Sequence, residues 1–265
     1  MFFYLFKRTT FLQKYLSKFG YMRSHNTTFE EGIREFQDFA GLKVTGELNN
    51  DTVRMMKMPR CGVKDKRNPK PVEHSRFRRY VLHGSKWPEL KITYRITKYP
   101  SGLKKSKTDK DVKKAFDAWS EVSPLSFVQK TSRKQADIEI SFESGDHGDE
   151  DPFDGPGGIL AHAYFPADGG DVHFDDDEIW TVKISSQNIN LFRVAVHEFG
   201  HSLGLEHSKV RGAVMYPFYT GADSDFQFHP DDINGIQTIY GKKPAKKKIF
   251  DRHRPNYKRT VDVGV

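Results

Sequence analysis

The stretch VAVHEFGHSLGLEHS, residues 194–208, carries side chains whose types and spacing suit metal chemistry. Residues four apart lie on one face of a helix, so His197 and His201 can hold one metal ion from successive turns. Glu198 follows the first histidine directly and can reach a water on the metal, which is the pattern of two zinc ligands plus a general base. A glycine then lets the chain turn out of the helix, and His207 supplies a third imidazole.

Three imidazoles leave one position of a tetrahedral zinc ion open, as a catalytic site requires. Zinc polarises a substrate carbonyl and lowers the pKa of its water toward about 7. The alternative is a chance histidine pattern on an amphipathic helix. The continuation of the pattern through GLEH and on to Met215 in AVMYP argues against chance. The residues therefore predict a zinc hydrolase with Glu198 as the catalytic base.

The sequence over residues 11–241 resembles the matrix metalloproteinases of the metzincin clan. The resemblance rests on the full H-E-x-x-H-x-x-G-x-x-H pattern, on Ser208 after the third histidine and on Tyr216 after the methionine. FQDFAGLKVTGELNNDT is similar to the propeptide of the family, and KWPELKITYRI to the start of its catalytic domain. The resemblance implies that Met215 lies in a tight turn beneath the zinc, and the architecture is similar to the short matrilysin type without hemopexin-like repeats.

The segment PRCGVKD holds the single cysteine of the chain, which excludes an intramolecular disulfide. A lone cysteine is a reactive thiol, a metal ligand or a small buried apolar residue. The segment resembles the cysteine switch of the family, which implies that the thiolate of Cys61 fills the open zinc position in a latent form. Arg60 and Asp65 would pair and hold this loop. Lys64 stands where the family usually has proline, which bears on the stiffness of the loop.

The resemblance implies further metal sites between residues 137 and 178. A closed set of three nitrogens and one carboxylate suits a structural zinc ion, with the ligands His147, Asp149, His162 and His173. Calcium takes six to eight oxygens, and the first implied calcium site comprises side chains of Asp154, Asp175 and Glu178 and carbonyls of Gly155, Gly157 and Ile159. A second implied calcium site comprises Asp137, Ala167, Gly169 and Asp171, and Asp176 is a candidate for a third. The alternative is a solvated acidic loop.

Arg193 lies one helical turn before His197, at a position where the family often has leucine at the base of the S1′ pocket. A long cation there should shorten the pocket and favour small or medium P1′ side chains. The alternative is an arginine that swings out to solvent. The predicted substrate pocket is completed by Met215, Tyr216 and Pro217.

The segment RFRRY contains the R-x-[KR]-R pattern that furin-like convertases read. The alternative is a solvated run of linker charge. We expect cleavage after Arg79, because Tyr80 is where the resemblance to the mature catalytic domain begins and the preceding proline-containing linker should be exposed. The resemblance also implies that the new ammonium of Tyr80 pairs with Asp231 or Asp232.

A helical bundle and, after it, a sheet with helices must position these residues. Apolar stripes over residues 11–58 predict a small three-helix bundle, with a capping box at Thr28 and Glu31 and a third helix that begins near Asn50 or Asp51; the stripe residues are Phe11, Tyr15, Leu16, Phe19, Ile33, Phe36 and Phe39. Downstream, LKITYRIT and ADIEISF predict strands, TDKDVKKAFDAWSEVS a helix capped by Thr108, and HPDDINGIQTIYG a last helix. The predicted fold is α+β: a three-helix prodomain, then a metzincin domain with a twisted, mostly parallel five-stranded sheet and three helices.

The 265 residues carry a net charge of +8, much of it in basic runs that are either solvated surface or contacts for polyanions. No stretch reaches the roughly 18 apolar residues of a membrane span. The N-terminal MFFYLF is shorter than a secretory signal core, so a leader is absent, unusual or lost from the gene model. The predicted domains are 1–10 (leader remnant), 11–58 (prodomain), 59–79 (switch and activation linker), 80–241 (catalytic domain) and 242–265 (basic tail).

These features predict a latent, secreted zinc endopeptidase that cleaves extracellular matrix or other secreted proteins once its prodomain is removed. Zinc, at a catalytic and a structural site, and calcium are the expected cofactors. The expected partners are protein substrates, inhibitors of the tissue-inhibitor type, a furin-like convertase and anionic glycans bound by the tail, but not nucleic acid, and the chain should be a monomer. The alternative is an inactive metzincin-fold protein that holds glycans or membranes through its basic tail.

Overall fold

A computed structural model describes residues 11–22, 26–66, 83–131, 134–185, 187–221 and 225–244. Three predictions fall outside these residues: the leader remnant, the convertase site at Arg79 and Tyr80, and the tail beyond residue 244. Within the described residues, no helix is both long and apolar enough to cross a membrane.

The N-terminal helices form the predicted bundle. They are α1 (residues 11–18), α2 (Phe29–Phe39) and α3 (Asn50–Met56). The Thr28 hydroxyl accepts the N–H of Glu31 while the Glu31 carboxylate accepts the N–H of Thr28, so the capping box is confirmed. Leu16 and Phe36 are fully buried in the bundle core, but Phe11 is 51% exposed and does not belong to the stripe as predicted.

A six-stranded sheet carries the rest of the molecule, in the order β1-β5-β6-β4-β2-β3. The strands are β1 (Arg60–Cys61), β2 (Lys91–Ile96), β3 (Ser126–Gln129), β4 (Ile138–Glu143), β5 (Ile159–Ala163) and β6 (Val172–Asp175). All pairings are parallel except that of β5 with β6. Five strands come from residues 91–175, which agrees with the predicted five-stranded sheet, and β1 is a sixth strand that residues 60–61 add along the edge of β5.

Three more helices follow: α4 (Lys105–Val122), α5 (Leu191–Ser202) and α6 (Pro230–Tyr240). The first two pack against the sheet and against each other, and α6 packs against α4. A short pair, β7 (Trp180–Thr181) with β8 (Ile189–Asn190), precedes α5. The predicted cap of α4 at Thr108 is wrong, because the helix begins one turn earlier with Lys104 as its N-cap. Thr108 is instead buried in the first turn, where its hydroxyl donates to the Lys104 carbonyl.

Aromatic packing fixes α5 against α4. The rings of Phe116 and Phe199 stack with centroids 3.9 Å apart. The indole N–H of Trp119 donates to the Val196 carbonyl at 2.9 Å, next to the first histidine of the motif. Because both aromatic residues of α4 are fully buried, the position and rotation of α5 are set by the core.

Candidate metal centre

The helix α5 presents the first two histidines of the motif. The Asn190 side chain caps the helix by accepting the N–H of Arg193. His197 and His201 lie on successive turns and are buried, and their ring centroids are 5.0 Å apart. The sequence-based placement of both side chains on one helix face is therefore confirmed.

The chain leaves α5 at Gly204, as predicted. This glycine has φ of +98°, and a Cβ added there would lie 2.4 Å from the Ser85 carbonyl oxygen. Both observations require glycine. The turn brings His207 back, so that its ring lies 4.6 Å from that of His201 and 5.2 Å from that of His197.

Each histidine of this centre has its Nδ1 within 2.8 Å of an oxygen. Nδ1 of His197 lies 2.6 Å from the Val214 carbonyl, and Nδ1 of His201 lies 2.7 Å from the Leu205 carbonyl. Nδ1 of His207 lies 2.8 Å from a carboxylate oxygen of Asp65. These oxygens favour the proton on Nδ1, so Nε2 is the ring atom of each histidine that can bind a metal.

The donor set fits a zinc ion. One ligand atom from each of Cys61, His197, His201 and His207 lies within 4.8 Å of every other. Nε2 of His197 is buried and has no hydrogen-bond partner among the described residues. Burial, followed by the neighbouring His207, lowers the pKa of His197 to about 3, which keeps the imidazole neutral as a ligand must be.

Glu198 lies beside this group and is itself fully buried. Its Oε2 accepts the Cys61 thiol at 3.4 Å, while Oε1 has no hydrogen-bond partner among the described residues. Burial raises the pKa of Glu198 to about 8. A carboxylate with a raised pKa, next to a metal-ligand cluster, is suited to accept a proton.

Met215 packs against α5 at Gly200, the residue before His201. A Cβ added to Gly200 would lie 2.2 Å from the Met215 sulfur, so the methionine packs directly under the helix. The carboxylate of Asp232 accepts the N–H groups of Val214 and Met215 and holds this turn. Met215 was also assigned to the substrate pocket, but the residues that line the cavity do not include it.

The switch segment reaches the centre as a strand. The N–H of Arg60 donates to the Gly158 carbonyl at 2.7 Å, and that of Cys61 to the Pro217 carbonyl at 3.0 Å. The segment therefore lies between β5 and residues 217–219. The Cys61 sulfur is 3.5 Å from Nε2 of His201. Burial and Glu198 raise the pKa of this thiol, and a metal ion would reverse that effect because it deprotonates a thiol that it binds.

The predicted pairing of Arg60 with Asp65 is present. The guanidinium donates to the carboxylate at 2.6 Å, and both side chains are almost fully buried. Tyr21 donates to the second carboxylate oxygen at 2.7 Å, and the Phe19 ring centroid lies 3.5 Å from the guanidinium carbon. Lys64, between the two charges in sequence, is exposed and takes no part in the pair.

Sequence reasoning missed the contacts that the N-terminal helix α1 and the residues just after it make with the Arg60–Asp65 pair. Tyr15, on α1, accepts the guanidinium N–H at 2.9 Å, and Tyr21 follows the end of the same helix. The apolar stripe indicated only that Tyr15 faces a core, and Tyr21 was not part of the predicted stripe. The contact between Asp65 and His207 was also missed, because a separation of 142 positions leaves no local signal.

A cavity of about 150 Å³ adjoins the centre. Tyr216 and Pro217 line it as predicted, and so does Arg193. The Arg193 side chain is half-buried, with its guanidinium carbon 5.0 Å from the ring centroid of Phe226. The arginine therefore lies along the cavity wall rather than extending into solvent.

A second cluster matches the implied structural zinc site. One oxygen of Asp149 lies 2.9 Å from a ring nitrogen of each of three histidines, namely His147, His162 and His173. Burial, followed by the charge of His173, lowers the pKa of His162 to about 4. Three ring nitrogens and one carboxylate that converge in this way fit a closed zinc site.

The first implied calcium site is brought together by the loop before β5 and the end of β6. Asp154 accepts the N–H of Ile159 at 2.9 Å, and Glu178 accepts that of Gly157 at 2.6 Å. Asp175 is fully buried, and one of its oxygens has no hydrogen-bond partner among the described residues. Burial and nearby carboxylates, including Asp154, raise the pKa of Asp175 to about 6. These carboxylates affect one another's charge, and their assignment to calcium stays a prediction.

The carboxylates of the second and third implied calcium sites accept backbone N–H groups of other segments. Asp137 accepts the backbone N–H of Thr93 at 2.7 Å, and Asp171 accepts that of Glu139 at 2.9 Å. Ala167 lies in a short 3₁₀ helix and Gly169 is its C-cap. Asp176 accepts the N–H of Ser101 at 2.8 Å. These carboxylates join neighbouring segments, and their assignment to calcium stays a prediction.

Comparison with known proteins identifies the class that this fold and site define. The family model for Matrixin matches residues 86–241, more than half of the chain, and the chain belongs to this family. A second model, for a peptidoglycan binding domain, matches residues 7–56, which include the three N-terminal helices. Zinc and calcium are accordingly the cofactors of this protein.

Several curated relatives are similar over most of the chain. Interstitial collagenase of Equus caballus is 47% identical over 253 residues, which cover 90% of this chain and 50% of the relative. Interstitial collagenase of Bos taurus is 46% identical, with 87% and 49% covered. Matrix metalloproteinase-18 of Xenopus laevis is 47% identical, with 83% and 45% covered. The chain thus spans about half the length of the curated relatives it matches.

Proposed function

We propose that this chain is the latent form of a zinc-dependent endopeptidase of the matrix metalloproteinase type. The observation that carries the proposal is the convergence of a thiol and three imidazoles beside the buried carboxylate of Glu198. Three protein ligands suit a catalytic zinc ion, and the thiol of Cys61 is a fourth ligand that can be withdrawn. We assign His197, His201 and His207 as those three ligands.

Zinc bound there supplies a Lewis acid that polarises a peptide carbonyl and acidifies water. Glu198 accepts the proton of the attacking water and later delivers a proton to the leaving amine. The Nδ1 hydrogen bonds of the histidines hold the rings in the orientation that this geometry needs. The Cys61 sulfur lies 3.4 Å from Oε2 of Glu198, so the switch segment covers the base as well as the metal position.

The substrate would bind along β5. In the latent chain β1 pairs with this strand, and its removal leaves an edge with unpaired backbone groups. An extended peptide can add to such an edge and make the same kind of hydrogen bonds. The cavity beside Arg193 would then receive the P1′ side chain and favour small or medium residues. The substrates are extracellular matrix or other secreted proteins, as the names of the collagenase relatives suggest for those proteins.

The remaining assignments follow the same reasoning. The cluster around Asp149 holds a structural zinc ion, and the group around Asp175 holds calcium. A furin-like convertase would activate the chain by cleavage after Arg79, within the secretory pathway. Inhibitors of the tissue-inhibitor type would compete for the open zinc position of the processed enzyme.

The test is the substitution Glu198→Ala in the processed enzyme. Turnover of a quenched peptide should fall by at least about a hundredfold, because general acid–base catalysis contributes on this scale. The zinc content, measured by atomic absorption, should stay at the parent's level because the three imidazoles survive. If the variant keeps near-parent turnover, or if the chelated parent stays active, the proposal is wrong.

A further inference from the structure

The first half of α4 carries a strip of lysines that the proposed function does not use. Residues 104–114 contain six lysines and two aspartates, in the order KKSKTDKDVKK. All six lysines are exposed: Lys104, Lys105, Lys107, Lys110, Lys113 and Lys114. The residues between them on the core side, such as Thr108 and Val112, are buried, so the charge is confined to the outer face.

The carboxylates near this strip do not neutralise it. In the part of the chain that the structure describes, Lys113 is the one lysine of the six that forms an ion pair, with Asp117 at 2.6 Å. Asp109 is engaged by the hydroxyl of Tyr99 and the amide of Gln129. Asp111 is buried, and burial raises its pKa, while the charges of Lys114 and Lys110 act in the opposite direction; the three carboxylates offset only part of the charge of the six lysines. The strip therefore presents a cationic surface.

This placement of charge works against the stability of the helix. The N-terminus of a helix carries a partial positive charge and favours acidic residues. Both α2 and α6 have two acidic residues in their first turn, whereas α4 has none and begins with Lys104 and Lys105. Lys104 also provides no side-chain cap. A local rule broken without a structural gain is typical of a functional surface.

The lysines form a track along the helix. Lys107, Lys110 and Lys114 are spaced by three and four residues and lie on one face. The six lysines extend over about 15 Å of the helix axis. Two of the side chains rest on aromatic rings, since Nζ of Lys114 is 4.0 Å from the ring centroid of Phe192 and Nζ of Lys105 is 4.6 Å from that of Tyr99. These contacts restrict the two lysine side chains, so the side chains lose less conformational entropy when a ligand binds.

We propose that this strip binds a sulfated glycosaminoglycan chain. A linear polymer with repeated anionic groups can follow a row of point charges along a helix. Nucleic acid fits less well, because the large exposed apolar side chains of the described residues are all outside α4 and no exposed aromatic ring accompanies the lysines for bases to stack on. An anionic membrane fits less well for the same reason, since the strip has no apolar side chain to insert.

The surface should be available before and after activation. The prodomain docks through Lys209, Arg211 and Tyr216, none of which belongs to α4. Glycan binding by this strip is also distinct from binding by the basic C-terminal tail, and the two can be separated by substitution.

The experiment measures binding of the full chain to size-fractionated heparin oligosaccharides by surface plasmon resonance at several salt concentrations. The test variant is K104Q/K105Q/K107Q/K110Q, which leaves the lysines on Phe192 and Asp117 intact. A matched control, K14Q/K43Q/K57Q/K86Q, removes the same charge from exposed positions elsewhere. A third variant, K246Q/K247Q/K248Q, tests the tail.

We expect the α4 variant to lose at least about tenfold in affinity and to show a shallower salt dependence, because fewer counterions are released when the anionic chain binds. Its thermal stability should be equal to or above that of the parent, since charge at the helix N-terminus is relieved. The control should change affinity by less than about threefold. Equal losses in test and control, loss only in the tail variant, or preferential lysine-dependent binding to phosphatidylserine vesicles would overturn the proposal.

Discussion

The buried ion pair between Arg60 and Asp65 should determine how tightly the unprocessed chain stays latent. Replacing the carboxylate by an amide in Asp65→Asn removes the charge that faces the guanidinium at 2.6 Å. It also weakens the contact of 2.8 Å with Nδ1 of His207 and the bond of 2.7 Å from Tyr21. The guanidinium would stay 99% buried without a counter-charge in the docked state, so undocking of the switch becomes favourable.

The size of the effect follows from burial. Removing one partner of a buried ion pair costs about 3–5 kcal/mol. At about 1.4 kcal/mol for each factor of ten, the open population of the unprocessed chain should rise between about a hundredfold and a few thousandfold. The cost of the matched substitution Asp38→Asn is much smaller, because Asp38 pairs with Lys209 at the same domain interface but both side chains are more than half exposed.

The assay is hydrolysis of a quenched peptide by the zinc-loaded, unprocessed chain, with Arg79→Ala added to block cleavage. Activity is expressed as a fraction of that of the processed enzyme. Asp65→Asn should raise this fraction at least about a hundredfold, and Asp38→Asn by less than about fivefold. Enzyme processed from an Asp65→Asn chain that keeps Arg79 must match the processed parent, which shows that the catalytic domain folded correctly.

At acid pH the difference in latency between the parent and the Asp65→Asn chain should disappear. Burial alone would raise the pKa of Asp65, but Arg60 and His207 outweigh it and hold this pKa at about 2. The unfolded value is about 3.9, so the stabilisation is complete above roughly pH 5 and is lost as the pH falls toward 2. The reasoning would be refuted if the unprocessed Asp65→Asn chain had no more activity than the parent at neutral pH. It would also be refuted if Asp38→Asn raised the activity by the same factor.

Three further outcomes test the assignments around the centre. Cys61→Ser should make the unprocessed chain active, because a neutral hydroxyl is a poorer zinc ligand than a thiolate; equal latency in both chains would contradict the switch. Arg193→Leu should improve cleavage before bulky P1′ residues in a peptide library, with Lys114→Leu as a surface control, and an unchanged profile would count against a role in the pocket. Arg79→Ala, or a convertase inhibitor, should abolish the secreted product that begins at Tyr80 on N-terminal sequencing. If neither changes the processing, the convertase site is wrong.

Local chemistry could be predicted from the sequence because its signals are short. Helical spacing alone placed His197 and His201 on one face, and Gly204 marked the turn that delivers His207. The capping box at Thr28 was also readable, since its two hydrogen bonds join residues three apart. These features depend on backbone geometry over a few residues, which amino-acid types determine directly.

Contacts between distant segments could not be predicted in this way. The pairing of β1 with β5 makes the switch a sixth strand, and a two-residue strand has no periodicity to detect. The predicted helix cap at Thr108 was wrong, because burial of the Thr108 side chain in the core outweighs the local preference of threonine for a helix start. Likewise, the aromatic clamp on Arg60 arises only when α1 packs against the switch segment.

Cleavage of the linker and release of the prodomain are separate events in this architecture. The contacts that close the site lie within residues 59–66: backbone pairing with β5, the Cys61 thiol at the histidines, and Asp65 at His207. A cut after Arg79 breaks none of them, and the contacts of the prodomain at Ala40 with Tyr216 also survive. Activation therefore requires the cut prodomain to dissociate. Because the buried ion pair holds the switch in place, its strength sets the rate of this second step as well as the latency of the intact chain.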